Sequence, residues 1–193
     1  MMIDITQEVF SCKVYPGDSM PSRKQLQSLA QGDVCNLTVF SMCAHNGTHV
    51  DAPAHFISGG KTIDEMGLEP FVGNCFVARC EGNVTGEAAA DIMERARVAG
   101  ASERILIAGK ATVTAEAAKI FARSDVKLLG NESQTVGPED APREVHLILL
   151  GAGIVLLEGI VLKDVAEGKY LLSAAPLNLA DCEGAPCRAY LVG

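Results

Sequence analysis

The histidines of this chain are concentrated in one short segment. The sequence has four histidines, and three of them lie in the stretch HNGTHVDAPAH at residues 45–55. His45, His49 and Asp51 offer two imidazole nitrogens and a carboxylate oxygen at close intervals. This combination suits a borderline divalent cation such as Zn²⁺, or Mn²⁺ if more oxygen ligands join. The residue types therefore predict a metal centre in this segment.

The spacing of these residues favours an extended backbone. In a strand, positions 45, 47, 49 and 51 share one face, so the three ligand candidates would point the same way and Gly47 would leave room for an ion. A helix would also align His45 with His49, but Gly47 and Pro53 disfavour one. A single histidine is usually a structural residue, whereas this cluster in a histidine-poor chain favours a metal site.

Two further candidates lie about a hundred residues downstream in apolar surroundings. His146 falls in a predicted helix, and Glu158 lies inside the run IVLLEGIVL. A carboxylate in such surroundings is costly unless it is paired or bound to a cation. Its partner is then either an arginine, for which Arg143 and Arg188 are the candidates, or a metal ion.

If the partner is a metal, the two halves of the chain form one site. Asp51 would bridge two ions, with His45 and His49 on one ion and His146 and Glu158 on the other. Paired-metal hydrolases hold their ions roughly 3.5–4 Å apart, a distance that one carboxylate can span.

Length and composition predict one globular domain over residues 1–193. The chain is 48% hydrophobic and 21% charged, which excludes a disordered chain. Its net charge of -8, without a basic run, argues against nucleic acid or an anionic membrane surface as partner. We therefore expect a small-molecule substrate.

Cysteine usage and the termini of the sequence predict a cytoplasmic protein. Asp4 and Glu8 lie in the first residues, so no basic segment precedes an apolar one as in a signal peptide. The longest apolar run, residues 147–157, is too short to span a bilayer. The seven cysteines are odd in number and form no paired Cys-x-x-Cys units, which indicates reduced thiols; Cys182 and Cys187 would pair only if oxidised.

The order of predicted elements indicates an α/β fold. We predict strands over 2–9, 34–44, 71–79, 104–108, 126–129, 154–157, 170–172 and 188–192, helices over 85–99 and 114–123, and a third helix that Asp140 caps and Gly151 or Gly153 ends. Turns are expected at 15–18 and 59–60. The alternation of strands and helices in the middle of the chain predicts parallel strands with covering helices, next to mixed β-structure at the start.

The pattern His-x-Gly-Thr-His-x-Asp-x-Pro-x-His at residues 45–55 resembles the signature of the metal-dependent cyclase-like hydrolases, the family of bacterial kynurenine formamidase (arylformamidase). The resemblance runs nearly end to end, from the opening Ile-Asp-Ile-Thr and the Tyr-Pro-Gly-Asp turn to the closing Asp181-Cys-Glu-Gly-Ala-Pro-Cys-Arg188. It implies a swivelling β/β/α fold with a mixed sheet, a homodimer or higher oligomer, and a site with two zinc ions or a single manganese.

The resemblance also implies a role for each candidate residue. His45, His49 and Asp51 would hold the first metal, and Asp51, His146 and Glu158 the second. His55 would be the acid/base residue.

Three departures from the formamidase pattern concern the substrate pocket rather than the metal ligands. Tyr15 stands where these enzymes usually carry Trp, which makes it a candidate pocket residue. Residues 130–133 (GNES) replace a Gly-Val-Asp stretch, and residues 108–110 (AGK) replace an Arg-Thr pair.

The predicted reaction is hydrolysis of a small amide-type bond, in an N-formyl aryl amine or a cyclic amide, by metal-activated water. His55, outside the ligand set, would pass a proton to the leaving nitrogen. The alternative is that His55 has only a structural role. The main alternative reaction is that of a cyclase or lyase acting on a small carboxylate with the same metal.

Two other classes of function remain as rivals. Cys43 and His45 would form a thiol nucleophile and its base, although this use of His45 removes a metal ligand. A non-catalytic metal-binding protein is the last alternative, but structural zinc sites are usually closed and rich in cysteine.

Overall fold

A nine-stranded mixed sheet forms the centre of the molecule. The computed structural model describes all residues from 1 to 193. The strands are β1 (Met2–Asp4), β2 (Ser22–Gln27), β3 (Leu37–Ser41), β4 (His49–Asp51), β5 (Val72–Arg79), β6 (Gly82–Val84), β7 (Arg104–Ala108), β8 (Ala111–Val113), β9 (Leu128–Asn131), β10 (Val155–Glu158), β11 (Gly168–Ser173), β12 (Gly184–Pro186) and β13 (Tyr190–Val192). The helices are α1 (Gly86–Val98), α2 (Ala115–Ala122) and α3 (Arg143–Gly151). The large sheet has the order β1-β13-β11-β5-β7-β9-β10-β4-β12, and two small sheets pair β2 with β3 and β6 with β8.

The middle of the large sheet is parallel and its flanks are antiparallel. β5, β7, β9 and β10 run parallel to one another, whereas β4 is antiparallel to β10 and β11 is antiparallel to β5. Every residue of β7 and β9 is buried, as expected for parallel strands that are covered on both faces. The predicted α/β class, with a mixed sheet and covering helices, is confirmed.

Two apolar cores lie on the two faces of this sheet. Ile105 and Ile107 of β7 belong to the core that the helices cover, which also contains Phe121 of α2. Leu106 belongs to the opposite core, together with Val50 of β4. This alternation follows from the two-residue period of a strand. Both faces of the central strands are therefore fixed by packing.

The helices begin and end close to the predicted positions. Thr85 and Thr114 cap α1 and α2, each accepting a backbone N–H three residues further on. The prediction that Asp140 caps α3 is wrong: Pro142 takes the N-cap position, because the helix starts later and proline tolerates a first turn without an N–H donor. None of the three helices has the length and apolar character needed to cross a membrane.

The first quarter of the chain departs most from prediction. The strand expected over 2–9 ends at Asp4, and that expected over 34–44 is only β3. β3 pairs with β2, which was not predicted because its sequence SRKQLQ lacks an apolar alternation. These two strands form a separate hairpin, and nearly all of their residues are exposed. The turn at 15–18 is present, with the amide of Asp18 donating to the carbonyl of Tyr15 at 3.1 Å.

Candidate metal centre

β4 and β10 bring the central residues of the site together. His49 and Asp51 are alternate residues of β4 and point to one face, while Val50 between them packs into the opposite core. The antiparallel register of β10 places Glu158 opposite His49. His49 Nε2 lies 3.4 Å from Asp51 Oδ1 and 3.5 Å from Glu158 Oε2. Strand pairing therefore sets two carboxylates beside one imidazole.

α3 adds His146 to this group. Leu149 and Leu150 of the helix pack into the same core as Leu156 of β10, which brings the helix against this end of the sheet. His146 Nε2 lies 3.3 Å from Glu158 Oε1 and 3.7 Å from Asp51 Oδ2. The two distant segments that the sequence analysis connected thus meet in the fold.

His45 reaches the group from a turn. Residues 44–48 form a turn and a bend, and Gly47 adopts a φ of +67°, which favours glycine. His45 Nδ1 nevertheless lies 2.9 Å from Asp51 Oδ1. The prediction that residues 45–51 form one extended segment is wrong for its first half, because the left-handed Gly47 redirects the chain before β4 begins.

The burial of the carboxylates tests whether the group suits a cation. Asp51 and Glu158 are 0% and 2% exposed, and neither pairs with a lysine or arginine. Arg188, a suggested partner for Glu158, pairs with Asp4 instead. Asp51 Oδ2 is buried without a hydrogen-bond partner. Glu158 Oε1 accepts the amide of Val136 at 2.8 Å, but no lysine or arginine offsets either charge. Because a buried carboxylate without compensation is costly, two such groups beside imidazoles fit a divalent cation.

Two triads of potential ligand atoms share Asp51. One ligand atom from each of His49, Asp51 and Glu158 lies within 4.8 Å of the others, and the same holds for His45, Asp51 and His55. The prediction from the sequence had placed His45 and His49 on one ion instead. Both groupings leave Asp51 in the bridging position, but the observed geometry also brings His55 into ligand range.

Hydrogen bonds outside the cluster leave one nitrogen of each imidazole facing the carboxylates. His49 Nδ1 lies 3.0 Å from the carbonyl oxygen of Gly47, and His146 Nδ1 lies 2.9 Å from that of Pro142. A carbonyl oxygen only accepts, so in the neutral imidazole Nδ1 carries the hydrogen and Nε2 keeps its lone pair. A metal ligand needs this tautomer.

The carboxylates favour protonation of their imidazole neighbours. Burial by itself lowers the pKa of His49, but hydrogen bonds and charge interactions with Asp51 and Glu158 outweigh it and raise that pKa to about 10. The pKa of His146 is raised by the same balance, with Glu158 opposing burial. Burial raises the pKa of Asp51, yet its histidine neighbours hold it well below the usual range. Because imidazole binds metal in its neutral form, a cation at this site would displace protons.

His55 differs from the other three histidines. It ends the short 3₁₀ segment Pro53–His55, and its ring stacks on that of His45 with centroids 4.1 Å apart. Its Nε2 lies 3.9 Å from Asp51 Oδ2, which is longer than a hydrogen bond. Burial lowers the pKa of His55 by more than Asp51 raises it. A neutral imidazole with a free nitrogen can take up or release a proton.

A cavity of about 190 Å³ opens beside these residues. Its walls are the four histidines and Glu158 together with Tyr15, Asp18, Phe56, Gln134, Thr135 and Pro142. The Tyr15 hydroxyl donates to the carbonyl of Glu139 at 2.7 Å, which fixes its ring at the wall. No lysine or arginine lines the cavity.

Four polar residues of the site were missed by the sequence analysis. Asp18 closes the turn that begins at Tyr15, and its membership of that turn was a usable signal. Glu183 lies 3.2 Å from His45 Nε2, and it belongs to the closing segment that carries the family resemblance. Gln134 and Thr135 follow no pattern that marks them as wall residues.

The thiol of Cys43 is not aimed at an imidazole. Its Sγ lies 3.8 Å from Asp18 Oδ2, to which it donates. The geometry therefore gives no support to a nucleophile formed by Cys43 and His45. All seven cysteines, including Cys182 and Cys187, are free thiols.

Comparisons with known proteins agree with this geometry. The model of the Cyclase family, described as putative cyclase, matches residues 3–138. The kynurenine formamidase of Erythrobacter litoralis (strain HTCC2594) is 30% identical over 191 residues, covering 92% of this chain and 87% of the relative. A potential metal-dependent hydrolase with cyclase activity superposes with a TM-score of 0.82 at 25% identity, over 99% of this chain and 96% of the other. Isatin hydrolase A from Labrenzia aggregata shares the fold, with a TM-score of 0.83 at 23% identity, over 99% and 93% of the two chains.

Proposed function

Because this chain belongs to the cyclase family, we propose that it hydrolyses the amide-type bond of a small molecule at the metal centre described above. The predicted family is confirmed by the family model and by the kynurenine formamidase relatives. The predicted class, a metal-dependent hydrolase acting on a C–N bond other than a peptide bond, is confirmed at the same level.

One observation carries the proposal. Buried imidazoles and carboxylates from β4, β10 and α3 converge at the wall of a cavity. Asp51 and Glu158 have no lysine or arginine partner there, and Asp51 Oδ2 has no hydrogen bond. Protonated histidines offset the two charges when no metal is bound, but a purely structural cluster would also satisfy Asp51 Oδ2, since an unpartnered buried oxygen lowers stability.

The donor set suits Zn²⁺, with Mn²⁺ as the alternative. His45, His49, Asp51, His146 and Glu158 would hold the metal, with Asp51 shared if two ions bind. Nitrogen and carboxylate oxygen ligands without a thiolate are typical of catalytic zinc sites. When bound, such a metal polarises a carbonyl oxygen and lowers the pKa of water.

The chain itself supplies the proton transfer. Burial lowers the pKa of His55, so its neutral imidazole has one nitrogen with a lone pair that can accept a proton. It would take a proton from the water that attacks the carbonyl carbon, and deliver that proton to the nitrogen as the C–N bond breaks. Phe56 packs edge-on against the His55 ring, with centroids 4.5 Å apart, and limits its rotation.

The size of the cavity supports a small substrate. Its volume is about 190 Å³, which suits a formyl amide or a cyclic amide of a small molecule. No lysine or arginine lines it, so the histidines and the proposed metal are the cations that a carboxylate would meet. A cyclase or lyase that acts on a small carboxylate with the same metal is the alternative.

We also propose a homodimer and a cytoplasmic location. The exposed hairpin of β2 and β3 carries Leu26, Leu37, Val39 and Phe40, each about half exposed, and an apolar surface of this kind is typical of protein interfaces. The seven free thiols support a reducing compartment.

Hydrolysis is tested by elemental analysis of the purified protein together with a substrate screen. The screen contains N-formyl aryl amines, isatin-like lactams and small cyclic amides, assayed in water enriched in ¹⁸O. We expect bound zinc or manganese, turnover that chelation abolishes, and one ¹⁸O atom in the acid product. A product that forms without the label would identify a lyase or cyclase and overturn the proposal.

A further inference from the structure

The outer nitrogen of His45 contacts a side chain, whereas those of the other two predicted histidine ligands, His49 and His146, contact backbone carbonyl groups. His45 Nδ1 lies 2.9 Å from Asp51 Oδ1, and its Nε2 lies 3.2 Å from Glu183 Oε1. The ring is thus held between two carboxylates. That of Asp51 is fully buried in the cluster, whereas that of Glu183 is 45% exposed and lies outside it.

The large sheet fixes the place of Glu183. Its carbonyl oxygen accepts the amide of Ala52 at 2.8 Å, and the next residue, Gly184, pairs with Asp51 across β12 and β4. A Cβ at Gly184 would lie 2.8 Å from His45 Cε1, so the missing side chain lets the ring lie against β12. The backbone that carries Glu183 is therefore in register with the strand that carries Asp51.

The two carboxylates compete for the single N–H of a neutral His45 ring, because an ionised carboxylate only accepts. Nδ1 lies on the side of the buried cluster, 2.9 Å from Asp51 Oδ1, and Nε2 lies on the side of Glu183. A cation beside Asp51 would need the lone pair of Nδ1, and Glu183 is then the acceptor for the remaining Nε2–H.

We propose that Glu183 is a positioning residue that holds the His45 ring with Nδ1 toward the metal. It corresponds to the outer carboxylate of a carboxylate–histidine–metal arrangement, whose loss typically costs 10–100-fold in metal affinity. The carbonyls of Gly47 and Pro142 do the same for His49 and His146. Glu183 differs from these backbone carbonyl groups because a substitution can remove its side chain. The inference rests on the proposed metal centre.

The first test measures Zn²⁺ affinity by competition with a chromophoric chelator, starting from metal-free protein. Glu183→Ala should weaken binding at one site by about 10–100-fold. Glu183→Gln keeps an acceptor at this position, so its loss should be smaller. Glu94→Ala, an exposed substitution on α1 that makes the same change in net charge, is the matched control and should leave the affinity unchanged.

Two further measurements separate positioning from a general effect of charge or folding. In a His45→Ala background, Glu183→Ala should cost no further affinity, because Glu183 acts through His45. Nitrogen chemical shifts of the histidines should show His45 protonated at Nε2 in the zinc-loaded protein, and this preference should weaken in both Glu183 variants.

Affinity of Glu183→Ala equal to that of Glu94→Ala would overturn the proposal. So would an unchanged effect of Glu183→Ala in the His45→Ala background. Neither result would touch the proposed hydrolysis, because these experiments read metal binding and not turnover. Conversely, a protein that binds zinc as expected but hydrolyses no amide would leave the role of Glu183 standing.

Discussion

Among single residues, His49 and His55 show how environment separates two identical side chains. His49 is 1% exposed, and both of its nitrogens are engaged, with the Gly47 carbonyl on one side and two carboxylates on the other. The side chain of His55 is 28% exposed, and its Nε2 lies 3.9 Å from Asp51 Oδ2, beyond hydrogen-bond distance. The first environment suits a metal ligand and the second suits proton transfer.

Substitution of these two histidines should separate metal binding from rate. We expect His49→Ala to lose metal and turnover together, because it removes a buried ligand. His55→Ala should keep the metal content but lose about 10²–10⁴-fold in kcat, the usual contribution of a general base. Metal analysis and steady-state kinetics on both variants provide the check. Reduced metal content in His55→Ala would make His55 a ligand, and full activity would exclude it from the reaction.

Among elements, the contact between β4 and β12 constrains the site most closely. Gly184 of β12 leaves space for the His45 ring, and a Cβ there would also lie 2.9 Å from the carbonyl oxygen of Val50. Strand backbone cannot move away from such a contact without disturbing the register that places Asp51. One glycine thus couples the edge of the sheet to the metal centre.

Gly184→Ala should therefore weaken metal binding. The added methyl group would push the His45 ring away from Asp51, and we expect a loss of at least about tenfold in Zn²⁺ affinity, similar to the loss of an outer partner. Gly67→Ala is the matched control, because no atom lies within 4 Å of a Cβ at that exposed position. Equal zinc affinity in the two variants would contradict this account of β12.

A second contact between elements should appear in the pH dependence of stability. Glu167, just before β11, forms an ion pair with Arg95 of α1 and accepts the amide of Arg79 at 3.0 Å. The hydrogen bond from Arg95 comes first among the causes that hold the pKa of Glu167 below its usual value. A lowered folded-state pKa stabilises above the unfolded value of about 4.3. That stabilisation is lost as pH falls through the folded pKa.

Glu167→Gln should consequently lower the free energy of unfolding at pH 7 but have little effect at pH 3. We expect about 0.5 kcal/mol at neutral pH, since the pair is one-third exposed and screened by solvent. Urea titrations of both proteins across this pH range measure the difference. Glu94→Gln on α1, the helix that carries Arg95, is the control. An equal destabilisation at pH 3 and pH 7 would argue against the ion pair.

For the whole molecule, the proposed metal joins segments that are far apart in sequence. The segment 45–55 and the residues His146 and Glu158 belong to different parts of the chain, and only the folded state holds them together. A ligand that binds only the folded state stabilises it in proportion to RT ln(1 + [L]/Kd).

Chelation should therefore lower the melting temperature of the protein. At a free metal concentration of about 100 Kd the bound metal contributes about 2.7 kcal/mol, or roughly 5–10 °C for a chain of this size. Calorimetry with and without chelator, and after zinc is added back, provides the measurement. An unchanged melting temperature in both treatments would mean that no metal binds selectively to the folded state.

The exposed hairpin of β2 and β3 is the proposed dimer interface, and substitutions there test it. If Val39 and Phe40 lie in a dimer interface, replacing both with serine should convert the dimer to a monomer in analytical ultracentrifugation, because the apolar area that drives association is lost. Leu68→Ser, at an even more exposed apolar position elsewhere, should leave the assembly unchanged. A monomeric wild type would refute the dimer itself.

Local patterns in the sequence were sufficient to predict the candidate ligands and several of the helices and strands. The cluster at 45–55 identified the candidate ligands through residue type alone, and β7, α1 and α2 were predicted within a residue or two because apolar periodicity is a local signal. The hairpin of β2 and β3 was missed on its first strand, since its polar sequence has no periodicity to detect.

What tertiary structure alone decided is how the candidates meet. The sequence suggested that His146 and Glu158 join the cluster, but the register of β10 on β4 and the packing of α3 bring their atoms within 3.3–3.7 Å of His49, Asp51 and one another. The outer contact of His45 with Glu183 and the turn at Gly47 were equally invisible. The reason is physical: residue types and periodicity act within a few positions of the chain, whereas register and ring orientation are set by packing between segments more than a hundred residues apart.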